Sequence, residues 1–233
     1  KLESWKKGES ITLVPNDKYW GEKPKVDKVV FKLATDTVAE FKSFNANEVS
    51  AIYPQPQIDV IDALNGSGLK NSERKVNSVT GNTEAIWLNN DAAPFDSLKV
   101  RQALGYSIDR DAIVNALFGE IGVKKAVNSF NAPVVGDYAN NEGFSKYKLD
   151  VAKADELLTS DGWKKNADGI YAKGGKLLEF TLNSTEGNER RKLTMENLQK
   201  QLGDAGWKVT IAPIPASDLF GTVGPEGKFQ AAI

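Results

Sequence analysis

The chain has 233 residues, 40% of them hydrophobic and 26% charged, and its 30 basic and 31 acidic side chains leave a formal net charge of −1. This composition is that of an ordinary globular protein with one large domain or two lobes, and the lack of a basic block argues against nucleic-acid binding. The sequence has no Cys and no His, which excludes disulfides, thiolate chemistry, and catalytic sites of the Ser-His-Asp or Cys-His type.

Strand and helix signals alternate over the first 80 residues. Apolar side chains recur with a period of two in residues 11–15 and 29–33, which predicts two strands. Residues 37–49 open with the capping-box pattern Thr-x-x-Glu and continue with apolar residues at helical spacing, which predicts a helix. A short strand is predicted at residues 51–53 and a second helix over residues 58–64.

The segment PFDSLKVRQALGYSIDRDAIVNALFG, residues 94–119, contains two helix starts after a predicted buried strand at residues 84–90. Asp96 is expected to cap the first helix, because apolar residues follow it at i, i+3, i+4, i+7 and i+8. Asp109 is expected to cap the second helix, which ends at Gly119.

Three adjacent charges, Asp109, Arg110 and Asp111, stand where the first of these helices ends and the second begins. Asp109 can satisfy free backbone N–H groups, and Asp111 lies in the first helical turn, where the helix dipole favours an anion. These local tasks predict that the charges build a scaffold and do no chemistry. A further hypothesis is that Arg101 or Arg110 pairs with a carboxylate and so fixes the two helices.

After a loop region at residues 124–148, helices are predicted at residues 150–161 and 195–205, and each is followed by Gly-Trp-Lys. A Trp just past a Gly cap either packs back on its own helix or stacks on a ligand, and we predict packing for Trp163 and Trp207. The hairpin signal NADGIYAKGGK precedes another strand. The order strand, helix, strand with short turns predicts an α/β fold.

Motifs for cofactors are absent or incomplete. The glycines of NGSGLKN follow a helix and lack the third glycine of a dinucleotide fingerprint, and no P-loop pattern occurs. The NADG segment matches a calcium loop only in part, because Lys164 and Gly175 stand where carboxylates are essential. We expect no cofactor, no metal site and no catalytic residue, while paired carboxylates for glycoside chemistry stay open.

Four segments resemble, in the same order, blocks of the family 5 extracellular solute-binding proteins, the oligopeptide-, dipeptide- and nickel-binding components of ABC importers. They are residues 16–52, 94–114, 150–182 and 198–211. The first contains Tyr-Trp-Gly-x-Lys-Pro before a strand and a helix, and the second contains Val-Arg-Gln-Ala-Leu and Ile-Asp-Arg. Together they cover nearly the whole chain, so the resemblance is more specific than any single motif.

The resemblance implies an α/β fold of the periplasmic-binding-protein type II kind, a two-lobed clamp with mixed sheets covered by helices, incomplete in this chain. Residues 1–81 would be the C-terminal part of the first lobe (lobe I). Residues 82–233 would be the second lobe (lobe III), truncated at its C-terminal end. We expect a fragment of an extracytoplasmic protein, in the periplasm or at the outer face of the cell membrane, lipid-anchored through an upstream segment.

The resemblance also implies where a ligand binds, on the loop after the EVSAI strand at residues 48–52 and on the strand that crosses between lobes. The ligand-binding residues would be Tyr53, Gln55, Thr80, Asn82, Thr83 and Glu84. A tyrosine ring and amide or hydroxyl groups suit a peptide, because they pair with its N–H and C=O groups. In the alternative interpretation Tyr53 is an interior aromatic and the Asn-Thr pair is a turn. Glu84 either meets a cationic group or faces solvent.

The implied function is that of the substrate-binding subunit of an ABC importer. It would capture a small polar solute, foremost a short peptide, in an interlobe cleft and deliver it to a membrane permease. The expected partners are a peptide or small-molecule ligand and the permease, with no nucleic acid and no enzymatic activity. The alternatives are a carboxylate-dependent hydrolase on the same scaffold and a ligand-sensing interaction module.

Overall fold

The computed structural model describes most of the chain, namely residues 1–34, 37–54, 60–62, 72–73, 75, 83–138 and 143–233. The chain divides into two compact units, Lys1–Asn71 and Ser72–Ile233. The assignment of residues 1–81 and 82–233 to two lobes of a clamp stays a prediction.

The first unit contains an antiparallel sheet and a helix. Its strands are β1 (Leu2–Lys6), β2 (Ser10–Leu13) and β3 (Val29–Lys32), in the order β1-β2-β3, and its helix is α1 (Thr37–Asn45). These elements confirm the strands and the helix predicted between residues 11 and 49. The side chains of β1 and β3 are exposed, whereas Phe41 of α1 is buried.

The strand predicted at residues 51–53 is wrong, because these residues adopt no regular structure. The N–H group of Tyr53 donates to Oε1 of Glu40 at 3.1 Å, so a side chain of α1 takes the place of a strand partner. Pro54 follows and has no N–H to donate. Residues 60–62 are helical, and the rest of the helix predicted over residues 58–64 lies outside the described residues.

A four-stranded sheet organises the described part of the second unit. Its strands are β4 (Trp87–Leu88), β8 (Glu179–Thr185), β9 (Lys208–Ile214) and β10 (Ala231–Ala232), in the order β4-β10-β8-β9. β8 runs parallel to both β9 and β10, and β4 is antiparallel to β10. The buried strand predicted at residues 84–90 is therefore shorter, and Trp87 is 54% exposed because β4 forms an edge of the sheet.

Helices and a small meander pack around this sheet. The helices are α2 (Leu98–Tyr106), α3 (Arg110–Phe118), α4 (Val151–Ser160) and α5 (Glu189–Asp204), with 3₁₀ turns at Gly119–Ile121 and Pro133–Tyr138, a short helix at Ala216–Asp218 and a π turn at Leu219–Val223. The meander consists of β5 (Lys164–Lys165), β6 (Tyr171–Lys173) and β7 (Lys176–Leu177). The parallel pair β8 and β9 is joined through α5, as parallel strands require a crossover.

The cap of α2 differs from the prediction. Ser97, with extended backbone angles, is the N-cap residue, and Asp96 accepts the Ser97 N–H at 3.1 Å instead of capping the helix. The Ser97 hydroxyl donates to Asp161 at 3.2 Å, so it does not cap the helix either. The apolar face predicted for this helix is confirmed, since all five of its residues are buried: Val100, Ala103, Leu104, Ser107 and Ile108.

Both tryptophans that follow a Gly cap are buried, Trp163 at 8% exposure and Trp207 at 2%, which confirms the predicted packing role. The indole N–H of Trp207 donates to the Ser107 hydroxyl at 3.2 Å. Gly206 has a φ of +94°, and a Cβ there would lie 2.9 Å from the Gly169 carbonyl oxygen. Only glycine fits this turn, which brings the end of α5 against the meander.

Two side-chain amides hold β10 between its neighbours. Asn89 donates to the carbonyls of Gly227 and Phe229, both at 2.9 Å. Gln230 accepts the N–H of Thr181 at 2.8 Å and donates to the Ala93 carbonyl at 2.7 Å. These bonds place the start of β10 between β4 and β8 and fix the register of the central strands.

Candidate functional site

A ligand site is expected where β8 and β10 end, at the carboxyl ends of these parallel strands. We call this side of the second unit's sheet its carboxyl edge. The chain leaves β8 through α5 to reach β9 on one side, and β10 lies on the other side of β8. In open α/β sheets, the crevice between strands whose connections diverge is the usual ligand position. Because β4 is antiparallel to β10, the residues just before Trp87 lie at this same edge.

Five side chains from three segments meet at this edge, and we call them the carboxyl-edge cluster. They are Glu84 before β4, Thr185 at the end of β8, and Arg190, Arg191 and Thr194 in the first turns of α5. Each segment is brought to the edge by the sheet, since β8 ends there and the crossover helix begins there.

Glu84 is the acceptor at the centre of the cluster. Its Oε2 accepts a hydrogen bond from Arg190 Nη1 and lies 3.6 Å from Arg191 Nε, and its Oε1 lies 3.2 Å from the Thr194 hydroxyl. Arg191 also donates from Nη1 to the Thr185 hydroxyl at 2.5 Å. The three charged side chains are 14% (Arg190), 25% (Glu84) and 28% (Arg191) exposed, so all remain in partial contact with water.

The cluster has one positive charge in excess, because two guanidinium groups share a single carboxylate. The next cation of the helix, Lys192, has its own partner in Glu189 at 3.3 Å. Two arginines in a first helical turn are also unfavourable for the helix dipole, which prefers anions at that end. This arrangement can accept an external anion.

Sequence reasoning identified Glu84 and missed both arginines. The signal available was the run Glu-Arg-Arg-Lys directly after the turn that follows a predicted strand. Cations at a helix start are unusual enough to be noticed, but which carboxylate they meet depends on a contact over 106 residues of sequence. Glu84 therefore meets cationic groups of its own chain.

The other predicted site residues are placed differently. Thr83 is exposed and adjoins Glu84. Tyr53, in the first unit, is 87% exposed in this chain. Three further residues, Gln55, Thr80 and Asn82, lie outside the described residues. Ligand binding by the six residues stays a prediction.

The charged triplet at the start of α3 has the scaffold role predicted for it. Asp109 accepts the N–H of Ala112 at 2.9 Å as the helix N-cap, and Asp111 accepts the N–H of Ala126 at 2.9 Å. Both carboxylates thus bind backbone N–H groups and hold the chain on either side of α3.

Among the described residues neither Arg101 nor Arg110 pairs with a carboxylate, which differs from the hypothesis. Arg101 donates to the Phe95 carbonyl at 2.6 Å. Arg110 donates to the carbonyls of Val127 and Phe144 and to the Asn128 side chain, each at 2.9 Å. The loops around α3 present backbone carbonyls that need donors, and the guanidinium groups satisfy them. Burial lowers the pKa of Arg110, against the opposite effect of the Asp111 charge.

Other features of the described residues offer no competing site. These residues contain no group of three or more acidic side chains placed to hold a metal ion. No described helix combines the length and apolar character that crossing a bilayer requires. A cavity of about 290 Å³ in the first unit has a mainly apolar lining that includes Leu13, Val14, Pro15 and Tyr19, and none of the predicted ligand-binding residues lines it.

Comparison with known families gives one match over the full chain. The family model described as bacterial extracellular solute-binding proteins, family 5 Middle, matches residues 1–233. The chain is 29% identical to the oligopeptide-binding protein AppA of Bacillus subtilis over 97% of this chain and 40% of that protein. It is 26% identical to the nickel-binding periplasmic protein of Escherichia coli over 94% of this chain and 41% of that protein.

Solved structures give the same result. NikZ from Campylobacter jejuni in complex with Ni(L-His) matches with a TM-score of 0.80 and 26% identity, over 100% of this chain and 44% of that one. AppA from B. subtilis in complex with a nonapeptide matches with a TM-score of 0.74 and 27% identity, over 100% and 45%. The matches confirm the predicted fold class, and the chain spans about two fifths of the length of these relatives.

Proposed function

Because the chain belongs to the family 5 bacterial extracellular solute-binding proteins, we propose that it is part of the substrate-binding subunit of an ABC importer whose ligand is a short peptide. The observation that carries the proposal is the family match over residues 1–233. The oligopeptide-binding relative AppA, whose solved structure holds a nonapeptide, supports the peptide as ligand class.

In the proposed mechanism the protein binds the peptide between two lobes and closes over it. Ligand binding shifts the population from open to closed forms, because the closed form makes contacts with the ligand that the open form lacks. The closed form then docks on a membrane permease and releases the peptide. The protein acts outside the cytoplasm, and attachment by a lipid anchor stays a prediction.

A metal chelate is the second candidate ligand. It is supported by the TM-score of 0.80 with NikZ, whose structure contains Ni(L-His). The 233 residues of this chain include no His and no Cys. Their side chains would therefore bind the carboxylate or amine groups of the chelating amino acid and not the metal through imidazole or thiolate.

The proposed role is non-enzymatic, as it is for the binding proteins of this family. The carboxylate-dependent hydrolase is less well supported, because the central carboxylate of the carboxyl-edge cluster, Glu84, is paired with arginine and not with a second acid. The ligand-sensing module differs from the importer subunit only in its partner protein. Co-purification of a permease would support the importer subunit, and co-purification of a receptor would support the sensor.

The test is a thermal-shift screen of the complete gene product that contains this chain. The ligands are a pool of di- to pentapeptides and, separately, amino acids, sugars and nickel–histidine. A ligand that binds only the folded form raises the melting temperature, by an amount that grows with its concentration. We expect a rise with the peptides. A rise with nickel–histidine alone would support the second candidate, and a rise with sugars alone would overturn both.

A further inference from the structure

We propose that Arg190 and Arg191 form a carboxylate subsite, so that the protein selects ligands carrying a free carboxylate at the edge of the second unit's sheet. This inference rests on the proposed function, because it assigns part of the peptide to part of that binding site. It adds a chemical class to the ligand: a peptide is expected to bind as the free acid and not as the amide.

The first argument is the balance of donors and acceptors. Each guanidinium group has five N–H donors arranged to bind a carboxylate through two hydrogen bonds. Glu84 bonds directly to Arg190, while Arg191 Nε is 3.6 Å from the same oxygen, beyond hydrogen-bonding distance. The single carboxylate therefore satisfies one guanidinium first, and the second retains donors for another anion.

The second argument is charge. Among the described residues the two arginines have one carboxylate between them, which leaves one positive charge in excess, and the three charged side chains are only 14% to 28% exposed. A partly desolvated positive charge attracts a carboxylate more strongly than a fully hydrated lysine does. The Thr185 hydroxyl accepts a hydrogen bond from Arg191, and the Thr194 hydroxyl donates to Glu84, so each fixes one of the charged groups.

The third argument is position. Arg190 and Arg191 start the crossover helix that leaves β8, at the carboxyl end of the parallel neighbours β8 and β10. A ligand in that crevice faces the first turn of α5. Thr83, a predicted ligand-binding residue, adjoins Glu84 on the segment that leads into the edge strand β4.

Glu84 competes with the ligand for the arginines in this scheme. Replacement of its carboxylate by an amide removes a negative charge next to both guanidinium groups. The substitution Glu84→Gln should therefore strengthen binding of a carboxylate, whereas loss of an ordinary structural ion pair would weaken binding or leave it unchanged.

The experiment titrates the complete gene product with three matched peptide pools by calorimetry. All three pools contain di- to pentapeptides of mixed sequence. The peptides of the first two pools contain no Asp or Glu. The first pool has free C-terminal carboxylates and the second has C-terminal amides. The third pool has C-terminal amides and one Glu per peptide, which separates a terminal carboxylate from a side-chain carboxylate as the recognised group.

Arg191→Gln is the principal variant, and Lys192→Gln is its matched control, because Lys192 is on the same helical turn but pairs with Glu189. For the native protein we expect free acids to bind about tenfold or more tightly than amides, the effect of one charge-assisted pair. Arg191→Gln should remove this preference, Lys192→Gln should keep it, and Glu84→Gln should increase it.

The outcomes separate this inference from the proposed function. Equal binding of acids and amides by the native protein would overturn the carboxylate subsite and leave the peptide-binding function intact. Failure of all three pools to bind would overturn both. A preference that survives Arg191→Gln would also contradict the inference, and the melting temperature of each variant shows that it is folded. If Arg191→Gln fails to fold, Glu84→Gln becomes the deciding variant. Unchanged or weaker binding of free-acid peptides by Glu84→Gln, compared with the native protein, would overturn the carboxylate subsite.

Discussion

Arg110 and the pair Arg190–Arg191 belong to the same compact unit and each begins a helix, yet their surroundings differ in charge and in acceptors. Arg110 lies between two aspartates in sequence and donates to four acceptors in the segments around α3, three of them at 2.9 Å and the Tyr147 carbonyl at 3.3 Å. Arg190 and Arg191 share one carboxylate. Both regions contain a buried Nε–H without a hydrogen-bond partner among the described residues, so that feature does not distinguish them.

The difference shows how the role of an arginine, structural or ligand-binding, can be inferred from its hydrogen-bond and charge partners. An arginine whose donors are used by backbone carbonyls orders the chain, since those carbonyls would otherwise be unsatisfied. An arginine in excess over the nearby carboxylates has capacity for an anion from outside. The first type should affect stability when replaced, and the second should affect ligand preference.

The largest stability effect is expected for Arg110→Gln. The change removes the donors for Val127, Asn128 and Phe144, and we expect the free energy of unfolding to fall by about 3 kcal/mol. Urea denaturation measures it, and the preference for free acids over amides should be unchanged. A loss below about 1 kcal/mol would contradict the scaffold assignment.

A pH-dependent effect is expected for Asp161→Asn, another scaffold carboxylate. Burial acts to raise the pKa of Asp161, but the hydrogen bond and charge of Lys173 and the hydrogen bonds from Ser97 and Trp163 outweigh it, so the pKa is lowered. A lowered pKa in the folded state means that the contribution to stability is present at neutral pH.

That contribution is lost as the pH falls from about 4, the ordinary value for Asp, through the lower pKa of the folded state. We expect Asp161→Asn to cost about 1.5 kcal/mol at pH 7. Its melting temperature should also depend less on pH below about 4 than that of the native protein. Parallel melting curves for the two proteins across this range would refute the assignment.

Removal of the α3 cap should have a moderate effect. Asp109→Ala loses the hydrogen bond to the Ala112 N–H, and we expect a loss of about 1 kcal/mol in the free energy of unfolding. Asp109→Asn is the control, because asparagine also caps helices well. If alanine and asparagine give the same stability, the side chain does not act as a cap.

The smallest effect on stability is expected for Glu84→Gln. Glutamine retains an acceptor oxygen for Arg190, so the hydrogen bond is kept while the charge is lost, and we expect a change of about 0.5 kcal/mol. The same variant should show the increased preference for free acids. A large loss of stability without a change in the preference for free acids over amides would show that Glu84 has a structural role.

Much of the fold was predictable from sequence because its signals are local. The cap at Asp109, the buried face of α2, and the Gly-Trp ends at Trp163 and Trp207 each depend on spacing within a few residues. Local signals failed where a more distant group replaced the expected partner. Ser97 turns its hydroxyl to Asp161, 64 residues away, and the N–H of Tyr53 binds Glu40 in place of a strand.

The candidate site was the least predictable part for the same reason. Glu84 could be suspected from the family resemblance, but Arg190 and Thr194 reach it across 106 and 110 residues of sequence. A pairing of this kind follows from the order of strands in the sheet, β4-β10-β8-β9, in which sequence neighbours are not spatial neighbours. No periodicity in the chain specifies that order.

The amides of Asn89 and Gln230 have a consequence for the speed of folding. They close chain loops of 138, 140 and 137 residues around the central strand, and such non-local closures slow the formation of a native sheet. The carboxyl-edge cluster depends on the same closure, so it should assemble after the helices have formed. Changes there should mainly accelerate unfolding and leave the folding rate almost unaltered.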